Sequence, residues 1–221
     1  MAPHREAVAH RRERVLTGNR TVILLAGASG SGKTRIARLA GCPRLNLDDF
    51  YRDGDAPGLP RRDGRVDWDD PASWDADAAL TAITALTAGG GAEIPVYDIP
   101  SSRRVGTQCV DLGPARAFVA EGLFAPDMVG RCRAAGVPYL ALFLDRSPLT
   151  TLGLRFVRDV REHRKPIGVL VRRGLALWRA QPRVRARALA AGCRPVSPER
   201  ALVVIRGLLD GSGITARPRD S

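Results

Sequence analysis

Lysine is almost missing from this chain: of its 35 basic residues, every one except Lys33 and Lys165 is an arginine. Such a bias fits a GC-rich coding sequence, so much of the formal charge of +12 is compositional rather than the mark of a binding surface. Against that background Lys33 stands out. Aromatic residues are also scarce, at 5%. They rarely alternate with the arginines as a base-stacking platform requires, which argues against a nucleic-acid partner. The four cysteines, Cys42, Cys109, Cys132 and Cys193, lie far apart, with no C-x-x-C pair and no histidine at ligand spacing. They read as reduced, mostly structural thiols rather than a zinc or disulfide framework. No apolar run is long enough to span a bilayer, and "MAPHREAVAHRRERVLTG" carries no hydrophobic signal segment. These absences predict a soluble, cytoplasmic protein with no membrane partner. Internal repeats and low-complexity tracts are missing as well.

What is present suffices for one core. With 221 residues, 44% of them hydrophobic, the chain predicts one main domain over 19–211, preceded by a helical extension at 1–18 and followed by a frayed end at 212–221. Residues 21–26 (TVILLA) read as a buried parallel strand, 35–39 as helix and 44–47 as a second strand. Leu80, Ile83 and Leu86 recur at helical spacing behind the turn residues of "DWDDPASWD". "AEIPVYDIPSSRRV" is extended and broken by proline, "ARAFVAEG" is a buried strand ending at Glu121, and "VPYLALFLD" is the strongest strand of the second half. Residues 147–164 are helical and arginine-rich, a long helix follows to Gln181-Pro182, and "ERALVVIRGLLDG" fits either a strand or a helix. Strands alternating with helices predict an α/β fold: a parallel sheet with helices on both faces and ligands beyond the carboxyl ends of its strands.

Gly27-Ala28-Ser29-Gly30-Ser31-Gly32-Lys33-Thr34 matches G-x-x-x-x-G-K-[ST] between a predicted strand and a predicted helix. The glycines let successive backbone N–H groups converge on phosphate oxygens, Lys33 reaches the β- and γ-phosphates, and the Thr34 hydroxyl suits Mg²⁺. A nucleoside triphosphate is the expected occupant. A guanine-reading [NT]-K-x-D tetrad is absent, since Lys165 sits in Arg164-Lys165-Pro166-Ile167, and this argues against a GTPase. Phosphorylating an alcohol also needs a carboxylate beside the γ-phosphate to take the hydroxyl proton. Asp48, in "LNLDDFYRD" at a strand end, stands where such a group belongs, although an acid there also suits a cap or a turn.

The run "DDFYR", "VDWDDPASWD", "VYDIPSSRR", "FVAEG" and "LRFVRDVREHRK", behind the phosphate loop and in this order, resembles the uridine kinase family of P-loop nucleoside kinases, relatives of phosphoribulokinase and bacterial pantothenate kinase. The likeness covers roughly residues 20–166. It implies a P-loop NTPase three-layer sandwich with a helical lid at about 155–173, and ATP with Mg²⁺ as cofactors. It further implies Asp48 as catalytic base, with Lys33 and Arg158 as catalytic cations and Arg158 in the lid. Phe50 and Tyr51 would shape the acceptor pocket, Asp69 would hold ribose hydroxyls, and Tyr97 would line a base pocket. Thr34, Asp48 and Glu121 would supply the oxygens around Mg²⁺. The residues themselves leave alternatives: Asp69 as a helix cap, Glu121 as a surface acid, Tyr97 as packing, and most arginines of 155–173 as a solvated face.

Two departures from the family pattern bear on the substrate. Ser102 stands where nucleoside-specific members carry a histidine that reads the pyrimidine edge, and the lid segment typically read "ERGRD" is Glu162-His163-Arg164-Lys165-Pro166. The expected activity is therefore ATP- and Mg²⁺-dependent phosphorylation of a small-molecule hydroxyl, on a nucleoside or another diol-bearing metabolite. The alternatives are a pantothenate-like or sugar-phosphate acceptor, or a nucleotide-binding regulatory module without turnover. The sequence leaves a homo-oligomer open.

Overall fold

The computed structural model describes residues 20–28, 30–146 and 182–211. Ser29, the expected N-terminal extension, the lid with Arg158, and residues 212–221 lie outside the described residues.

Strand β1 (Thr21–Ala26) has apolar side chains on both faces, as a strand covered on both sides must. It lies at the centre of a five-stranded parallel sheet of order β2-β7-β1-β8-β9. Its flanking partners are β7 (Ala117–Glu121) and β8 (Tyr139–Leu144), with β2 (Arg44–Asn46) and β9 (Arg194–Val196) at the edges. Alternation along β1 feeds two cores. Val22, Leu24 and Ala26 face α2 (Ala76–Gly89), α3 (Met128–Ala134) and α4 (182–190). Ile23 and Leu25 face α1 (Lys33–Leu39) and α5 (Pro198–Leu209), where Ile36, Ala201 and Ile205 are buried. The result is the expected three-layer α/β sandwich, with β1 flanked on both sides and its carboxyl end opening onto the crevice where such sheets bind ligands.

Three stretches take definite form. "ERALVVIRGLLDG" is the helix α5: Ser197 accepts from the Arg200 N–H at 3.2 Å, and Pro198 occupies the first turn. The Pro-broken extended region is an antiparallel hairpin, β5 (Gly91–Asp98) with β6 (Arg103–Asp111), bulged between Val96 and Tyr97. It escaped pattern reading because β6 is exposed along almost its whole length and so lacks an apolar face to alternate. The described residues 182–190 are helical and lead to β9, a three-residue edge strand that tolerates Pro195. A further two-residue hairpin, β3 (Arg61–Arg62) with β4 (Arg65–Val66), turns on Asp63-Gly64, both with positive φ.

Cys42, Cys132 and Cys193 are buried, and burial pushes their thiols up to about 12, 11 and 11, so they are inert packing groups. Among the described residues no helix is long and apolar enough to cross a membrane.

Phe124, fully buried, ties the loop after β7 to the core: it stacks on Trp74 at 5.1 Å between centroids and meets Tyr51 edge-on at 5.8 Å. Phe124→Ala is expected to destabilise the protein by ~3–5 kcal/mol in urea unfolding, the usual cost of emptying such a site.

Candidate active site

The chain leaves β1 through Gly27 and enters α1 after Gly32, whose φ of 95° lies in the left-handed region that glycine adopts without strain. This loop folds over the end of the sheet. A side chain at Gly27 would meet the Ser31 hydroxyl at 2.8 Å and the Leu144 Cβ at 3.3 Å. The Lys33 ammonium bends back along the loop, donating to the carbonyls of Gly27 at 3.0 Å and Ala28 at 3.3 Å. Ser31 is buried, and its Oγ has no hydrogen-bond partner among the described residues.

Glu121 ends β7 and is buried. Its Oε1 accepts from the Thr34 hydroxyl at 2.5 Å and from Arg44 Nη1 at 3.1 Å. One carboxylate oxygen thus joins the first turn of α1, the end of β7 and the edge strand β2, and Glu121 is no surface acid.

Asp48 does not lie in extended chain, as the sequence reading supposed, but in a 3₁₀ turn (Leu47–Phe50) that Asn46 caps through its side chain. In that turn successive side chains diverge by about a third of a revolution, so Asp48 and Asp49 enter different surroundings. Asp48 faces the phosphate loop, and its Oδ1 accepts the Leu123 N–H at 3.3 Å. Burial pushes its carboxyl above the usual range; the Leu123 N–H and the charges of Lys33 and Arg44 pull it back, while Glu121 adds to the rise. Asp49 faces Asn46 and the backbone of Tyr97, and burial raises its carboxyl too. From below, Trp74 Nε1 donates to the Leu47 carbonyl at 2.7 Å and fixes the turn.

Beyond Asp48 lies an aromatic wall. The Tyr51 ring sits 5.5 Å from Trp68 and 5.7 Å from Tyr97, and its hydroxyl donates to the Trp68 carbonyl at 3.2 Å. Burial raises the Tyr51 phenol, and the carboxylates of Asp48 and Asp69 raise it further, which sets both acids around this ring. Asp69 is exposed, and the caps nearby are other residues: Asp70 accepts from the Ala72 N–H at 2.8 Å and Asp75 from the Ala78 N–H at 3.0 Å. The Tyr97 hydroxyl donates to the Arg52 carbonyl at 3.3 Å, and Ser102 bonds to the same phenol. On the far side of Trp68 opens a cavity of about 560 Å³, bounded by the 54–55 loop, β4 and the β5–β6 turn, with Ser102 in its wall.

The donor set fits a phosphate-bound Mg²⁺. That ion takes oxygen ligands, binds through one or two carboxylates together with substrate phosphates, and needs no protein cage. Thr34 and Glu121 provide a hydroxyl and a carboxylate in contact, and the orphaned Ser31 hydroxyl lies inside the loop. Among the described residues no group of three His, Cys, Asp or Glu side chains forms a metal site of its own.

Sheet order, loop and crevice define a P-loop kinase of the α/β class. The comparisons agree. The chain is 33% identical to the uridine kinase of Deinococcus deserti over 159 residues, which are 67% of this chain and 73% of that one. It is also 33% identical to the inorganic pyrophosphatase TTM2 of Arabidopsis thaliana over 106 residues, 46% of this chain but 15% of that much longer protein. A solved structure from Silicibacter, described as a fructose transport system kinase, superposes with a TM-score of 0.52 at 20% identity and covers 87% of this chain and 96% of its own. That likeness shows the fold alone. No protein-family model matches. The chain belongs to the uridine kinase-like family of P-loop kinases.

The structure brings Lys33, Thr34, Asp48 and Glu121 to one crevice and puts Tyr51, Asp69, Tyr97 and Ser102 along its extension; Arg158 and Ser29 lie outside the described residues. Sequence reasoning passed over Arg44, Trp68, Trp74 and Gly122. Gly122 is the most consequential, and its signal was the glycine directly after the strand-end acid in "FVAEG". A Cβ there would meet Asp48 Oδ1 and the Leu47 Cβ, each at 2.8 Å, so only glycine lets the Asp48 turn dock on β7. Gly130, by contrast, is an exposed helical residue with nothing near its would-be Cβ. Gly122→Ala is expected to cost ~1–3 kcal/mol by overpacking, whereas Gly130→Ala gains ~0.5–1 kcal/mol from helix propensity. Urea unfolding of the two variants checks both signs.

Proposed function

We propose that this protein transfers the γ-phosphoryl group of ATP to a hydroxyl of a small molecule, with Mg²⁺. The observation that carries the reading is Asp48: a half-buried carboxylate held by the Leu123 N–H, within the fields of Lys33 and Glu121, at the mouth of the phosphate loop. A passive nucleotide module has no use for a proton acceptor there; an alcohol kinase does.

In this reading the loop from Gly27 to Thr34 holds the triphosphate, and Lys33 exchanges its carbonyl partners for phosphate oxygens. Thr34 and Glu121 would hold Mg²⁺, with Arg44 orienting the Glu121 side chain. When bound, the ion neutralises charge on the β- and γ-phosphates. Asp48 accepts the proton of the attacking hydroxyl at a carboxylate oxygen, and its raised pKa makes it the stronger base for that transfer. Tyr51 and Tyr97 wall off water, and Asp69 is set to receive vicinal hydroxyls. Ser102 is too short to replace an imidazole that reads a pyrimidine edge, so the acceptor need not be uridine.

Asp48→Asn is expected to lower kcat by roughly 10²-fold or more, the scale for losing a positioned base, with Asp49→Asn milder and Lys33→Ala inactive. Stability should move the other way. Because its folded pKa is raised, the native state binds the Asp48 proton more tightly than the unfolded chain does. Its contribution is full below the ordinary value of about 3.9 and is lost as pH rises through the raised one. At neutral pH the amide removes that cost, so the thermal midpoint of Asp48→Asn should equal or exceed wild type. ADP release and thermal melting of the same samples check the pair, and an Asp49→Asn loss larger than that of Asp48→Asn reverses the assignment.

A further inference from the structure

The cavity beyond Trp68 carries a charge that the reaction does not use. Its polar lining includes Arg65 from β4 and Arg103 from the β5–β6 turn, against Asp55 alone, which leaves one positive charge uncompensated. Arg103 is paired: its Nη2 lies 2.6 Å from Asp55 Oδ2, with both side chains more than half exposed. Exposed pairs of this kind bind weakly and exchange readily. The Arg65 guanidinium makes no hydrogen bond or ion pair among the described residues, although its neighbours do: Arg62 is paired with Asp67, and Arg61 donates to the Gly64 carbonyl.

The wall that presents these groups is tied down. The Gly54 N–H donates to the Ser102 carbonyl at 2.8 Å, the Arg104 N–H to Asp53 Oδ1 at 2.7 Å, and Arg104 Nε to the Tyr51 carbonyl at 3.1 Å. A side chain at Gly54 would come within 3.1 Å of the Ser102 Cβ, so the loop and the hairpin turn are in close contact. The cavity adjoins the crevice across one pair of rings, since Trp68 lines it and meets Tyr51, the ring that feels the Asp48 carboxylate.

On the kinase reading above, we infer that the acceptor is an anion. Its hydroxyl sits at Asp48, its body lies along Tyr51 and Trp68, and a phosphate ester or carboxylate at its far end is held by Arg65, with Arg103 turning from Asp55 to share it. A guanidinium offers paired donors in the geometry such groups accept. A neutral nucleoside leaves that charge unanswered.

The test uses the full chain with Mg²⁺ and a non-hydrolysable ATP analogue filling the phosphate loop, and calorimetry on matched compounds. Ribose 5-phosphate is compared with ribose, gluconate with glucose, and uridine stands as the neutral nucleoside. The charged member of at least one pair should bind roughly tenfold or more tightly than its neutral partner, the scale of one charge-assisted hydrogen bond; the two pairs tell phosphate from carboxylate. Arg65→Gln should erase the difference, Arg65→Lys should restore part of it, and neither should change affinity for the ATP analogue. Equal affinity for charged and neutral compounds, binding of neither, or indifference to Arg65→Gln overturns the inference. ADP release separates it from the reading it rests on. An anion bound through Arg65 but never phosphorylated refutes the kinase and leaves the anion site standing. Uridine turned over as fast as the best anion, and equally by Arg65→Gln, leaves the kinase standing and refutes the anion site.

Discussion

Glu121 is a buried carboxylate at the end of a buried strand, and its Oε1 is shared by two donors from different elements: the Thr34 hydroxyl of α1 and the guanidinium of Arg44 in β2. An unpaired charge in that position would cost several kcal/mol of desolvation, about what fixing a loop against a sheet is worth. The pairing therefore sets the phosphate loop, β7 and the edge strand in one arrangement. The next residue, Gly122, has no side chain, and so the Asp48 turn closes against the same strand end. Four groups from separate parts of the chain reach one crevice because two consecutive residues, an acid and a glycine, permit it.

The two acids at this edge, Glu121 buried and Asp48 half-buried, have different partners. Glu121 is held by a hydroxyl and a guanidinium, whereas Asp48 has one long backbone hydrogen bond, and burial outweighs the cations near it. On the proposed reading one carboxylate holds a cation and the other takes a proton, although the two are chemically alike. The division rests on what each acid touches.

Much of the framework was legible in the sequence. The phosphate loop between an apolar strand and a helix, and the strand ending at Glu121, follow from short apolar runs that each strand of a two-faced sheet must have. Legibility failed where no apolar face exists to be read. The β5–β6 hairpin stands out from the sheet, so its second strand alternates nothing, and β9 is three residues with a proline. At the site, the acids and the lysine were visible as types in a pattern. Arg44 was one arginine among many, and its meaning comes only from facing Glu121 across the sheet, a pairing set by the β2–β7 register. Trp68 and Trp74 lie within a stretch read for its acids, yet one walls the crevice and the other holds the Leu47 carbonyl.

On the proposed reading a half-buried, partly compensated Asp48 must be ionised to accept the acceptor's proton. The pH dependence of kcat/KM for the acceptor at saturating ATP tests this most directly, because it reports the ionisations of the ATP-loaded protein before the acceptor binds. The account predicts an acid limb of slope one whose midpoint lies above the ordinary aspartate value of about 3.9, in the direction burial pushes Asp48. A rate that stays flat down to that ordinary value would contradict it.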